Sequence, residues 1–186
     1  TTLNEGYSGF GYSVSMSADG TYACVGSGDN GFHVYTLSNN TWSEQAHITR
    51  PSNLPANSYF GRVVKMSSDK THIIVTAYTY GAYIYVRNGT DWSLQDIIGS
   101  NVGFNIAISD GGKFALIPDG SNNVDSYART GNTWYYQNTF GIGQSGSIGI
   151  SGNGQYAFNG YSKDAQSGSS GFWHGSMTIY YSPLPT

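Results

Sequence analysis

Charge is scarce in this sequence. Asp, Glu, Lys and Arg make up 10% of its 186 residues, against roughly a quarter in an average globular chain. Eight Lys and Arg stand against 11 Asp and Glu, a formal net charge of −3. There is no basic patch, which argues against a nucleic-acid partner. No apolar run approaches the roughly 18 residues of a membrane span, so membrane insertion is not expected. There is one cysteine, Cys24. It cannot close an internal disulfide, and cysteine usage therefore says nothing about compartment. No GxSxG elbow, no HxxxH and no supported Cys/His pair is present. His33, His47, His72 and His174 stand at unrelated positions, and the carboxylates are scattered. No catalytic residue, metal or cofactor is expected. No signal peptide is visible, and a chain opening on Thr1 reads as a mature product or a fragment.

What is abundant is repetition. Phe10 to Trp42 returns 50 residues on as Phe60 to Trp92, again as Val102 to Trp134, and in its first half as Gln144 to Gly160. Each copy opens with alternating apolar and small or polar residues: Val14 to Ser17, Val64 to Ser67, Ile106 to Ser109, Ile148 to Ser151. That is the period of a half-buried strand. A short turn follows, such as Ala18-Asp19-Gly20-Thr21 or Gly152-Asn153-Gly154-Gln155, rich in residues that tolerate tight hairpin geometry. A second strand comes next (Tyr22 to Val25, His72 to Val75, Phe114 to Ile117, Tyr156 to Asn159). A third ends in tyrosine at Tyr35, Tyr85, Tyr127 and Tyr180. A fourth opens at Trp42, Trp92 or Trp134. Four short antiparallel strands per copy predict an all-β chain folded as a β-propeller.

The expected organisation is one domain over 1–186, with four blades near 10–48, 60–98, 102–140 and 144–181. If Tyr180 matches Tyr35, the fourth copy ends where its own fourth strand should begin. The reading is therefore a four-bladed ring whose last blade is closed by an N-terminal strand at 1–5, which would leave no open seam.

The run Phe10-Gly11-Tyr12, Ser17-Ala18-Asp19-Gly20, Val25-Gly26, Val34-Tyr35 and Thr41-Trp42-Ser43-Glu44-Gln45 resembles the FG-GAP repeat. That family includes the propeller of integrin α subunits. The second copy keeps Phe60-Gly61, Ile84-Tyr85 and Asp91-Trp92-Ser93-Leu94-Gln95. The third keeps Gly103, Ser109-Asp110-Gly111 and Thr133-Trp134 with Gln137, and the fourth keeps Ile148 to Gly154. The resemblance implies a propeller used for adhesion or assembly, secreted or displayed on a cell or virion surface. Integrin-type copies carry an Asp-rich calcium loop between the first two strands. Here that loop has shrunk to a turn offering one carboxylate at most, so no calcium is expected there.

Several motifs compete with plainer readings. Gly26 to Gly31 spells GxGxxG, but the strand Phe32 to Tyr35 follows it. A phosphate site needs a helix there, so a tight turn is expected. Asp119 to Asp125 spaces oxygens like a calcium loop, yet it lacks the sixth-place Gly and the distal Glu. Cys24 aligns with Ile74, Leu116 and Phe158 and reads as a small buried hydrophobe. His72 aligns with Tyr22, Phe114 and Tyr156 and reads as a structural ring. Asn39-Asn40-Thr41 and Asn88-Gly89-Thr90 are glycosylation sequons at matching hairpin tips, where Asn and Gly are also ordinary turn residues.

Two segments break the repeat. Tyr161 to Gly175 inserts about 11 residues carrying Phe172, Trp173 and His174 in a Gly/Ser-rich setting, and repeat insertions usually emerge as loops on one face. These rings are either contact residues or a cap tucked onto the fourth blade. The link Thr49 to Tyr59 offers Arg50 as a second anchor, stiffened by its prolines. The expected function is a non-catalytic extracellular or surface module that binds a protein partner or its own copies. A glycan-binding propeller is the alternative, because sugars stack on aromatic rings. A hydrolase ranks last. If Phe172 and Trp173 are contact residues, a Phe172→Ala/Trp173→Ala double change abolishes partner binding and leaves the thermal transition in place. A collapse of that transition would instead assign both rings to the core.

Overall fold

The computed structural model describes residues 3, 6, 8–121, 123–141, 147–163 and 174–181, with backbone alone at 141, 161–163, 174–178, 180 and 181. Among these, four antiparallel meanders follow one another. The first holds β1 (Ser13–Met16), β2 (Tyr22–Gly26), β3 (Phe32–Ser38) and β4 (Thr41–Ile48). The second holds β5 (Val64–Met66), β6 (His72–Ala77), β7 (Gly81–Asn88) and β8 (Asp91–Ile98). The third holds β9 (Ala107–Ile108), β10 (Phe114–Pro118), β11 (Asn123–Thr130) and β12 (Thr133–Gly141). The fourth holds β13 (Ile148–Ile150), β14 (Tyr156–Lys163) and β15 (His174–Tyr181). The four-strand repeat read from the sequence is the unit of the first three sheets, and the fourth shows three strands among the described residues.

The first turn of each unit is built by its own side chains. Ser17 Oγ donates to Asp19 Oδ1 at 2.7 Å and accepts the Tyr22 amide at 3.0 Å, and Asp19 also accepts the Thr21 amide. Ser67, Asp69, Thr71 and His72 repeat the pattern, and Ser151, Asn153, Gln155 and Tyr156 repeat it again. Short polar side chains that bond back to the local backbone are what such turns select.

A sheet this thin cannot bury a core alone, so the sheets stack face on face. The trailing face of the first, with Cys24, Phe32 and Val34, packs on the leading face of the second, with Val64, Met66, Ile73 and Val75. The second's other face, with Ile74, Ala82, Ile84 and Ile98, packs on Ile106, Ala115, Ile117 and Trp134 of the third. Leu116 and Val124 of the third then meet Ala157, Ile148 and Ile150 of the fourth. Inner strands are therefore apolar on both faces, which is why β6 is buried throughout.

Polar links join the same faces. The Ala18 amide donates to the Ser68 carbonyl, Asp69 to Asp110, and Asp110 to Gly152, so the turns are bonded sheet to sheet. Ser13 Oγ donates to the Val64 carbonyl at 3.1 Å, and Ser15 Oγ accepts the Met66 amide at 3.1 Å. At the outer edge each fourth strand bulges at one repeat position, opposite Val34/Tyr35, Ile84/Tyr85 and Ser126/Tyr127. The extra residues are Gln45, Gln95 and Gln137. Two of them meet the next sheet's tryptophan. Trp92 Nε1 donates to Gln45 Oε1 at 3.3 Å, and Trp134 Nε1 to Gln95 Oε1 at 3.0 Å. Bulges re-aim a side chain in this way.

The Phe-Gly pair is explained by the same packing. Phe60 is fully buried, edge-on to Tyr83 at 5.3 Å. Gly61 has φ +97°, and a Cβ there would strike the Gly31 carbonyl. A Cβ on Gly26 would in turn strike the Gly61 carbonyl. The glycines of the GxGxxG run are thus a close backbone crossing between the first two sheets. A single turn of 3₁₀-helix, Gly28–Asn30, leads from them straight into β3.

In the fourth sheet Ala157 pairs with Tyr180 as Ala23 pairs with Tyr35, so Tyr180 holds the expected register. The inserted segment was expected as a loop. Its two flanks instead prolong the β14–β15 hairpin, with Tyr161 opposite Ser176 and Lys163 opposite His174. The expected closing strand, Thr1 to Glu5, lies outside the described residues except at Leu3. Gln95→Ala is expected to lower unfolding free energy by about 1 kcal/mol, the worth of one hydrogen bond, and Trp134→Phe by more, because it also removes buried ring area. In urea titrations the double variant should cost little more than Trp134→Phe alone. Full additivity would show that the two side chains do not act as one latch.

Candidate functional site

The residue after each Phe-Gly pair, or after its Val102-Gly103 counterpart, lies in the link that enters a new sheet. These residues are Tyr12, Arg62 and Phe104. They converge. The Arg62 guanidinium lies 4.2 Å from the Phe104 ring centroid and 5.4 Å from those of both Tyr12 and Tyr59. Tyr59 is placed by a left-handed backbone (φ 51°) at the end of the Ala56–Ser58 3₁₀ turn. Tyr78, from the β6–β7 turn, stacks on Phe104 at 4.6 Å and 8°. Tyr59 stands edge-on to both. Tyr12, Tyr59, Tyr78, Tyr80 and Phe104 are all exposed.

One face of the stack therefore carries an aromatic cluster with a cation at its centre, fed by three successive sheets. The rings cover the guanidinium's flat faces, each such contact contributing about 0.5–1 kcal/mol at an exposed site. The N–H edges of a guanidinium held in this way suit a carboxylate, which they can bind through two parallel hydrogen bonds. Among the described residues Lys70 pairs with Asp19 and His33 contacts Glu44, and neither contact engages Arg62. Sequence reasoning missed this cluster. Its signal was the shared repeat position, but Tyr, Arg and Phe are too unlike for alignment to flag it.

The residues singled out from sequence do not join it. Arg50 Nη1 donates to the Leu54 carbonyl within its own link, and Leu54 is buried in the first core. Phe172 and Trp173 lie outside the described residues. His174 opens β15, paired with Lys163. Asn39 and Asn88 are exposed at the tips of the β3–β4 and β7–β8 hairpins, and Asn39 and Asn40 both have positive φ. The sequon sites are thus tight turns on the surface.

Several other chemistry-bearing groups are engaged within the fold. Asp119 accepts the Ser121 and Asn123 amides and the Asn123 side chain. Together these hold its carboxyl below the usual range against an opposing burial effect. Asp125 accepts from Thr139 Oγ1. Burial pushes the Cys24 thiol up to about 12, which leaves it inert. One grouping escaped the sequence reading. His33, Glu44 and His47 bring their donor atoms within 4.8 Å of one another across β3 and β4. The two imidazoles stack at 4.0 Å and 15°, so their in-plane lone pairs run side by side and do not converge as tetrahedral zinc requires. His33 Nδ1 meets Glu44 Oε1 at 2.7 Å, and His47 Nε2 donates to the Asn30 carbonyl at 3.0 Å. In this arrangement the group is a hydrogen-bonded stack.

No protein-family profile matches the chain, and no curated protein is similar to it in sequence. Solved structures are similar in fold. The β-propeller domain of Cps50 (Swd1) from Myceliophteria thermophila overlays 79% of this chain with a TM-score of 0.61 and 9% identity. Sqt1 of Saccharomyces cerevisiae overlays 76% with a TM-score of 0.59 and 10% identity. The chain spans 49% and 38% of their respective lengths. At such identities the likeness is one of fold: the chain is a β-propeller of stacked antiparallel sheets.

His72, expected to be a structural ring, is buried between Thr71 and Trp134. Burial first, then the Arg129 charge, lower its pKa from 6.5 to about 4, with Asp69 opposing. The unfolded chain therefore takes up a proton over this interval while the folded chain does not. Its contribution to stability is complete above pH 6.5 and is lost as pH falls towards about 4. Urea midpoints measured from pH 7 to pH 4 should fall for the native chain. They should fall less for His72→Phe, which places the third copy's ring at this position.

Proposed function

We propose that this chain is a non-catalytic β-propeller module that works by protein–protein contact, presenting the Arg62-centred aromatic face to a partner outside the cell or on a cell or virion surface. The observation that carries this reading is the clasp of Tyr12, Tyr59 and Phe104 around Arg62. Exposed aromatic rings beside a pre-positioned arginine are the residue types in which protein-binding energy concentrates. The low net charge and the tyrosine content suit such contacts. Resemblance to the FG-GAP repeat supports an adhesive or assembly role, and the exposed sequon tips at Asn39 and Asn88 fit a surface location. A catalytic role has little support, because Asp19, Asp69 and Asp119 are engaged in turn hydrogen bonds.

The chemistry of the face specifies the partner as a segment pairing a carboxylate with an aromatic or apolar side chain. The stacked Tyr78 and Phe104 rings also offer a surface on which a sugar could lie. A lectin built on repeats would show the same pocket in each copy, however, and Tyr12, Arg62 and Phe104 differ. Selection of displayed random peptides on the purified chain should enrich Asp or Glu next to an aromatic residue. Arg62→Ala should weaken the selected peptides at least tenfold with little change in melting temperature. Enrichment unaffected by Arg62→Ala, or strong signals on a glycan array lost in Tyr78→Ala, would overturn the protein-binding reading.

A further inference from the structure

The interface between successive sheets recurs three times within the chain, always joining the trailing face of one sheet to the leading face of the next. One face of each kind is left over. On the leading face of the first sheet, Val14 and Met16 are 64% and 56% exposed, whereas their repeat counterparts Val64 and Met66 are 0% and 5% exposed. On the trailing face of the fourth sheet, Phe158 and Ile179 are 37% and 53% exposed. Their counterparts Cys24 and Val34, and Ile74 and Ile84, are fully buried. The row of turn hydrogen bonds stops in step. Among the described residues its next donor is the Gly152 amide, and its first acceptor would be the Ala18 carbonyl, by the Ala18–Ser68 and Asp110–Gly152 pattern.

We infer that these two faces are the halves of one more sheet-to-sheet interface, closed head-to-tail by a second copy of this chain. The repeat makes the halves complementary: the same β1-type strand that seats on Cys24 and Val34 would seat on Phe158 and Ile179 of the neighbouring copy. The overlay takes in 79% of this chain and 49% of a solved propeller domain, so the overlaid sheets follow an arc of that ring. Two arcs joined at both ends would form one closed ring, which removes every open face. The inference supplies the partner for self-assembly and does not depend on the Arg62 surface.

Light scattering across a dilution series tests it. The 20.0 kDa chain should give a particle of twice that mass, or a higher multiple, that dissociates on dilution. Val14→Glu/Met16→Glu should be monomeric with unchanged far-ultraviolet dichroism. Ile179→Glu, on the opposite face, should likewise be monomeric, and it serves if the first variant does not fold. Mixing the two variants should restore dimers, because each keeps the face that the other lacks. A monomer at all concentrations, as expected if Thr1 to Glu5 closes the ring within one chain, would overturn the inference. Folded single-face variants that stay monomeric when mixed would overturn the head-to-tail geometry. Arg62→Ala should leave the particle mass unchanged, which separates failure here from failure of the ligand-binding face.

Discussion

Everything in this structure depends on sheets that are apolar on both sides. A meander of four short strands has too little area to exclude water from either face by itself. Only a neighbour on each side completes it. Ile74 and Ile73 are adjacent in β6 and point to opposite faces, yet both are fully buried, one against the third sheet and the other against the first. The unit of stability is therefore the junction between sheets. The described chain contains three such junctions and exposes the two unmatched halves of another.

Non-directional burial does not set the spacing or register of such a stack. The polar links do. Turn amides bonded to the next turn's carbonyl fix the height of each sheet relative to its neighbour. The bulged glutamines fix the outer edge by receiving the next sheet's tryptophan. Where backbones cross at Gly26, Gly31 and Gly61, the absence of side chains allows the inner edge to close. The Arg62 cluster follows from that inner edge. Links that enter successive sheets at equivalent points bring equivalent positions together, and three dissimilar residues become one surface.

The strand order of the first three sheets, the turn chemistry and the pairing of Tyr180 were legible, because a period-2 apolar pattern and Ser-x-Asp-x-Thr turns act over a few residues. The burial of Cys24 and His72 was legible by alignment with ring and aliphatic counterparts. The role of W-x-x-Q was hidden, since Trp92 bonds Gln45 of the preceding unit and not Gln95 of its own. The same separation hid the His33–Glu44–His47 stack: cross-strand pairing, and not linear spacing, puts His33 opposite His47.

The sequence by itself determined a repeating β meander and the propeller class, because those follow from local periodicity and from the length of each copy. It also determined that Cys24 is structural, through its repeat position, and that the GxGxxG run is structural, through the strand that follows it. Only the tertiary structure decided which residues form a functional face. The Tyr12, Tyr59, Arg62, Tyr78 and Phe104 cluster depends on how links from different sheets approach one another, and that approach is set by the stacking of whole sheets. The unmatched faces at Val14 and Met16 and at Phe158 and Ile179 were likewise settled at that level. Their apolar pattern matches that of the first two copies, and the presence or absence of a neighbouring sheet distinguishes a buried core residue such as Val64 or Ile84 from an exposed docking one.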